Sequence, residues 1–383
     1  MGKEMKKIVF ISYSLHSCHM NYGAALHGYA FQKYLEKNSI DSVMLDYYSQ
    51  DLEGYNIKYP VLNFKRFWHL RSFIVHWLNW GCGFFSNLRK FRKFNLFFEK
   101  NVKKTKKTYK HSDLKKIENI ENLDITHFIC ESDVIWKLYK KNGFNEDFFL
   151  KFPAAAKTKK IAYAPSLGSR PFDKDETERF RFLTKDFDAI STRERQSADY
   201  VSKILNRKVD WVLDPVFFLN KDEYAKIAKK PKEKKYLLVY NCMLNDRIMI
   251  TQAAKLAQKL NLELIEISVF WVNKVKCNHK VLTDVGIEEW LGYFIHADFI
   301  VCNAFHGFCF SMIFEKECFL FQRDSSDYRM PNITEALGLQ SRLVPWNDKV
   351  IPENYEKIDF VEIRKRIDEL KVKSEKFLLD SLN

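Results

Sequence analysis

The run Ala297–Asp298–Phe299–Ile300–Val301–Cys302 ends in Asn303–Ala304–Phe305–His306–Gly307–Phe308, so a strand-like apolar segment stops at a turn carrying one histidine beside a glycine. Ligands of open α/β sheets collect at the carboxyl ends of strands, where an imidazole is placed for proton transfer. The plainer reading is a histidine that merely starts or packs a helix. Three other loops carry reactive side chains just after apolar runs. Asn21–Tyr22–Gly23 enters a helical pattern, and amides at a helix start form an anion site where glycine permits close approach. Cys130–Glu131–Ser132–Asp133 sets two carboxylates after a strand, where a local field tunes a carboxylate as a base; the plainer reading is a helix N-cap. Thr192–Arg193–Glu194–Arg195 offers a guanidinium fork for carboxylate or phosphate, against the alternative of a structural Arg–Glu pair.

The elements that must position these loops alternate as β/α units. Lys7–Ser12 reads as a strand, followed by the loop Tyr13–Asn21, a helix over Ala24–Glu36 and a strand over Ser42–Leu45. Strands are expected again over Asp124–Cys130, Lys160–Ala164, Asp188–Thr192 and Val209–Leu213, with helices over Asp175–Lys185 and Gln196–Leu205. A second set has strands at Tyr236–Tyr240, Leu262–Ile267 and Ala297–Cys302. Its helices are expected at Asp246–Leu260, Ile287–His296 and Asn332–Leu337, with a closing charged helix at Val361–Leu379. Lys221–Lys235, rich in lysine and holding Pro231, reads as the linker. The fold class is therefore α/β, as two Rossmann-like domains facing a cleft. The expected domains are 1–220, with a basic aromatic helical insert around 51–110, and 221–350. Residues 351–383 form a terminal helix that packs back on the first domain.

Composition bounds the rest. A chain of 383 residues exceeds the usual size of one hydrophobic core, and 46% apolar with 29% charged residues excludes a disordered chain. No apolar run approaches the roughly 18–20 uncharged residues that span a bilayer. Lys3, Lys6 and Lys7 precede only a short apolar run with no small-residue cleavage site, which argues against a secretory leader. The eight cysteines form no CxxC pair; Cys130, Cys302 and Cys309 read as reduced core residues of a cytoplasmic protein. The net charge of +14 is concentrated: residues 51–110 hold fourteen Lys and Arg against three Asp and Glu, interleaved with fifteen aromatic rings such as Trp68, Trp77, Trp80, Phe84 and Phe85. That mixture suits either an amphipathic helical layer with buried rings or an anionic membrane surface. No nucleic-acid motif accompanies the charge.

Taken in order, NYGAALHGYAFQKYL, LDITHFICESDVIW, KKIAYAPSLGS, FDAISTRERQS, VDWVLDPVFFL, EEWLGYFIHADFIVCNAFHGFCFSMIF and RMPNITEALGL resemble the polysaccharide pyruvyl transferase family. The resemblance covers most of the chain outside residues 51–110. It implies a GT-B-like fold and transfer of the pyruvyl carbons of phosphoenolpyruvate onto two hydroxyls of one sugar, giving a pyruvate ketal and phosphate. The implied acceptor is a sugar or lipid-linked oligosaccharide, worked on by a cytoplasmic protein peripheral to the inner membrane face. The resemblance also implies no metal or organic cofactor, and the residues agree for a metal, since no His/Asp/Cys cluster has ligand spacing. In this reading His306 is the general acid and Asp133 the base. Arg193 binds the donor, with Asn21, Gly23, Ser132, Gly307 and Arg329 as further substrate contacts. The chain departs from the family pattern at two positions. Ala304 stands where some members carry arginine, and Glu131 where glycine is usual, a carboxylate that repels the donor unless it points away. Two other readings share the scaffold: a glycosyltransferase using a nucleotide sugar, and a non-catalytic glycan-binding or scaffold protein.

Overall fold

A computed structural model describes residues 7–13, 20–49, 70–139, 143–168, 171–244, 246–274 and 278–383. The interior of the Tyr13–Asn21 loop and residues 51–69 of the basic aromatic stretch, Trp68 included, lie outside them, as do Lys3 and Lys6.

Two six-stranded parallel sheets carry the fold, which is the α/β, two-Rossmann-unit architecture expected. The first holds β1 (Lys7–Ser12), β2 (Asp41–Met44), β3 (His127–Glu131), β4 (Lys159–Tyr163), β5 (Ala189–Thr192) and β6 (Asp210–Trp211) in the order β2-β1-β3-β4-β5-β6. The second holds β7 (Tyr236–Asn241), β8 (Glu263–Ser268), β9 (Lys280–Leu282), β10 (Phe299–Cys302), β11 (Cys318–Phe321) and β12 (Leu343–Val344) in the order β9-β8-β7-β10-β11-β12. Central strands such as β1, β3, β7 and β10 are almost wholly buried, because helices cover both faces; hence their unbroken apolar runs. Each order reverses once, between β1 and β3 in the first sheet and between β7 and β10 in the second. Such reversals open a crevice outside the strand ends, the usual seat of a ligand.

Strands β9, β11 and β12 were not expected. Two are only two or three residues long, and the apolar run of β11 follows a helix closely enough to read as its continuation. The expected Val209–Leu213 strand shrinks to β6, since the Leu213 amide turns to Ser374 and Pro215 starts a 3-10 turn with no N–H to give the sheet. Helices fall close to expectation. Helix α1 (Tyr22–Lys37) is capped by Asn21. The basic aromatic stretch contributes one long helix, α2 (Leu70–Asn101). There follow α3 (Lys174–Thr184), α4 (Arg195–Leu205), α5 (Arg247–Lys259), α6 (Ile287–His296), α7 (Phe305–Ile313), α8 (Arg329–Leu337) and α9 (Phe360–Ser381).

One apolar core crosses from sheet to sheet: Phe10, Phe31 and Tyr163 of the first half are continuous with Tyr240, Trp290 and Phe310 of the second. Tyr22 is the rivet. Its ring stacks on Trp290 at 5.3 Å and its hydroxyl donates to the Val285 carbonyl at 2.7 Å. Helix α2 joins the halves along its length. Phe94 and Phe97 pack on Tyr22 and Tyr29 of α1, while Ser86 and Thr283 share a hydrogen bond of 2.7 Å on the second half. Helix α9 returns to the first half, where the Leu213 amide donates to Ser374 Oγ and Lys371 donates to the Phe218 carbonyl.

Candidate active site

The carboxyl ends of the two sheets meet at His306. It occupies the first turn of α7, directly after β10, and its Nε2 donates to Asp214 Oδ2 of the first half at 3.3 Å. Gly23 on α1 makes the approach possible. A Cβ built there would lie 2.0 Å from His306 Nδ1, so only glycine lets the ring sit where it does. His27, four residues on and so on the same face of α1, stacks its ring on His306 with centroids 5.9 Å apart.

Asp214 is the hub. Its Oδ2 accepts from Arg193 Nη1 at 2.7 Å, Ser132 Oγ at 3.1 Å and His306, and its Oδ1 accepts the Val216 amide at 3.1 Å. Burial alone would raise its pKa; His306 and Arg193 instead hold it far below the carboxylate range. Arg193, at the end of β5, is likewise buried. Desolvation works against its charge, but Asp214, Glu194 and Asp133 outweigh it and raise its pKa. The guanidinium lies over the Phe305 ring at 4.4 Å. Removing one member of such a buried ion pair costs about 3–5 kcal/mol, because the other is left uncompensated.

A second buried pair stands beside the first. His27 Nδ1 donates to both oxygens of Glu131, at 2.8 and 3.0 Å, with neither side chain exposed. Burial disfavours the imidazolium, yet Glu131 and Asp133 overcome it and lift the His27 pKa to about 10. Glu131 is therefore buried with its charge met by His27, an arrangement under which it does not repel an anion. Asp133 lies between the pairs, with Oδ2 3.8 Å from His27 Nε2 and Oδ1 4.0 Å from Arg193 Nη2. Burial pushes its pKa up; His27 and Arg193 bring it well below normal. His306 differs in sign: desolvation lowers its pKa, Arg193 adds to the fall, and Asp214 only partly offsets it.

Two buried donors make no hydrogen bond here, His27 Nε2 and Arg193 Nη2, each facing Asp133 beyond hydrogen-bond distance, at 3.8 and 4.0 Å. Both flank Asp133. Buried donors are nearly always satisfied, so two together mark where an acceptor group belongs.

The structure gathers His306, Asp133, Arg193, Ser132 and Gly23 into one cluster but assigns several of them different work from that expected. Gly23 and Ala24 direct their amides to Asn21 Oδ1, at 3.0 and 3.3 Å, so Asn21 occupies the anion site read at this helix start. Ser132 is fully buried and orients Asp214. Gly307 packs on Tyr240 and Cys302, where a Cβ would come within 3.0 Å, so its small size serves the sheet. Arg329 forms a two-pronged pair with Asp327, at 2.8 and 2.9 Å, and touches none of the cluster. Ser132 and Asp133 do not cap a helix: both adopt left-handed φ, 40° and 61°, in a tight turn locked by the Ser132 amide on the Tyr163 carbonyl and the Ser166 amide on the Asp133 carbonyl. His27 and Asp214 were not foreseen. The four-residue spacing from Gly23 and the Asp-Pro step just after a strand were the available signals.

In fold, the chain is similar to UDP-N-acetylglucosamine 2-epimerase from Rickettsia bellii (10% identity, 99% of this chain and 97% of that one, TM-score 0.48). It is also similar to UDP-GlcNAc 2-epimerase from Neisseria meningitidis (11% identity, 97% and 94%, TM-score 0.48) and a glycosyltransferase from Rickettsia africae (8%, 100% and 95%, TM-score 0.47). No curated protein matches it in sequence. The family model for polysaccharide pyruvyl transferase, however, matches residues 21–325, a span that contains His27, Asp133, Arg193, Asp214 and His306, and the chain belongs to that family.

Proposed function

We propose that the protein transfers the pyruvyl group of phosphoenolpyruvate onto two hydroxyls of a sugar in a surface-polysaccharide precursor. The observation that carries this reading is the pair of buried donors that make no hydrogen bond, His27 Nε2 and Arg193 Nη2, facing Asp133 at 3.8 and 4.0 Å beside His306 at the meeting of the two sheets. Phosphoenolpyruvate brings a carboxylate and a phosphate, and these donors give it fixed, water-poor partners.

The chemistry begins with a proton. Burial lowers the pKa of free His306 and so favours its neutral ring. An arriving anion raises that pKa, and donor binding thus charges the acid it needs. The imidazolium gives its proton to the methylene carbon of the donor, leaving an oxocarbenium at the next carbon. A sugar hydroxyl attacks, passing its proton to a base, and forms a phosphoketal. The phosphate then departs with its bridging oxygen, and the second hydroxyl closes the ketal. Asp133 is held ionised and accepts a hydrogen bond from the attacking hydroxyl. Its low pKa makes it an orienting acceptor, and the departing phosphate is the stronger final proton acceptor.

Calorimetric titration of phosphoenolpyruvate in buffers of different ionisation enthalpy tests the reading. Saturable binding with proton uptake near pH 7, the uptake absent in His306→Gln, is expected. Wild-type protein that binds no phosphoenolpyruvate would overturn it.

The same reading places the enzyme against an anionic membrane surface. Ile74, Leu78, Phe85 and Leu96 lie on one side of α2 and are exposed, Phe85 by 71%, with Arg92 beside them. Rings and aliphatic chains enter the headgroup layer while arginines meet phosphates. Among the described residues no helix is long and apolar enough to cross a membrane. Vesicles containing anionic lipid should bind the protein in low salt and release it in high salt. Equal binding to neutral vesicles would remove this role.

A further inference from the structure

Helix α2 sends four cations towards the second half of the molecule, and they meet different fates; Lys100, nearest its end, pairs with Glu288 at 3.7 Å. Arg89 pairs with Asp284 at 2.8 Å, and Lys93 pairs with Glu289 at 2.6 Å. Lys90, between them in sequence, is 1% exposed and has no carboxylate or hydrogen-bond acceptor among the described residues. Its Nζ rests only on the rings of Tyr22 and Phe94, 4.5 and 5.6 Å from their centroids. A buried ammonium with aromatic neighbours alone is electrostatically incomplete.

Its location says what completes it. Lys90 lies over Tyr22, whose ring meets Tyr240 of β7 edge-on at 5.9 Å, two residues before Cys242 at the carboxyl end of that strand. Arg323 follows β11, donates its Nε to the Asn303 carbonyl at 2.7 Å and forms no ion pair among the described residues. Asn303 follows β10, and its side chain accepts the Cys242 amide at 2.8 Å. The two cations therefore flank the crevice at the β7/β10 reversal of the second sheet, where α/β sheets hold ligands.

We propose that Lys90 and Arg323 form a second anion site, distinct from the His306–Arg193 cluster, which takes a phosphate oxyanion, with the inserted helix supplying one of its two cations. The phosphate belongs either to the donor or to a sugar diphosphate acceptor. The site is built from Lys90, Arg323 and the strand reversal and stands apart from the pyruvyl reading.

The test is calorimetric titration of inorganic phosphate, pyrophosphate and phosphoenolpyruvate into the whole chain, as wild type, Lys90→Met, Lys90→Arg and Arg323→Met. Phosphate affinity should fall roughly tenfold or more in both methionine variants, as expected on losing a charge-assisted hydrogen bond, and largely return in Lys90→Arg. Lys90→Met should melt no lower than wild type, which separates loss of a ligand contact from loss of structure. Tighter Lys90-dependent binding of pyrophosphate than of phosphoenolpyruvate assigns the site to the acceptor, and the reverse order assigns it to the donor. Phosphate affinity unchanged in Lys90→Met, or no phosphate or pyrophosphate binding by wild type, overturns the inference. Binding of phosphate, pyrophosphate and phosphoenolpyruvate that all ignore Lys90, with phosphoenolpyruvate still needing His306 and Arg193, would overturn it while leaving the pyruvyl reading intact.

Discussion

Arg193 and Lys90 are both buried cations at the strand ends of an α/β sheet, and their surroundings drive them in opposite directions. Arg193 has Asp214 at 2.7 Å and Glu194 at 3.3 Å, and its pKa rises despite desolvation. Among the described residues Lys90 has two aromatic rings and no carboxylate beside it, and burial lowers its pKa to about 8. Desolvation is common to both; the partners decide the sign. A cation–π contact recovers about 2 kcal/mol when desolvated, which falls short of the several kcal/mol that burying an ammonium costs. The first site stabilises itself before any substrate arrives, whereas the second holds an unmet demand.

The largest expected effect breaks the satisfied pair. Arg193→Met strands Asp214 and Glu194 and should lower stability by about 3–5 kcal/mol in urea titrations. Adding Asp214→Leu should recover much of that loss, and a double mutant as unstable as the summed singles would deny the coupling. Next comes the His27–Glu131 pair, read through pH. Because the folded pKa of His27 is raised to about 10 from 6.5, its stabilisation is complete below pH 6.5 and is lost as pH climbs towards 10. Urea midpoints should fall by the equivalent of a few kcal/mol across that window, and Glu131→Gln should flatten the slope.

Lys90→Met should move stability the other way. With a lowered folded pKa, Lys90 destabilises the fold most fully below pH 8 and progressively less towards 10.5. The variant should therefore gain about 1 kcal/mol or more at pH 7 and little at pH 10, measured by thermal melts. A loss at both pH values would show that the ammonium has partners of its own. The smallest effect belongs to Arg329→Ala. Its pair with Asp327 lies outside the cluster, so donor binding should match wild type and stability should change by about 1 kcal/mol or less.

The alternation of strands and helices was legible because parallel strands covered on both faces leave unbroken apolar runs, and because Asn21, Asp173 and Asp246 announce their helices. The loops that bear chemistry were legible as polar residues breaking those runs. Their wiring was not. Asp214 reads as a turn residue before Pro215, and only the folded chain brings His306, 92 positions away, to its carboxylate. Glu131 looks hostile to an anion until His27, 104 positions distant, neutralises it. Lys90 is one lysine in a stretch crowded with them, and nothing local marks it as the one turned inward. Spacing reports which residues share a face, but not which charge each will meet across the seam.

Helix α2 has a mechanical consequence. At about 1.5 Å per residue its 32 residues form a rod close to 48 Å long, bonded to the second half through Ser86, Arg89 and Lys93 and wedged on α1 through Phe94 and Phe97. Any hinge motion that parts the sheets must either peel this brace from one side or swing it as a lever. The ion pairs of Arg89 and Lys93 to the second half stand partly in water, whereas Ser86–Thr283 and the rings on α1 are dry, so salt reaches the brace only at those pairs. Salt therefore loosens the two ion pairs of the brace before it touches the dry contacts that hold α2 on α1.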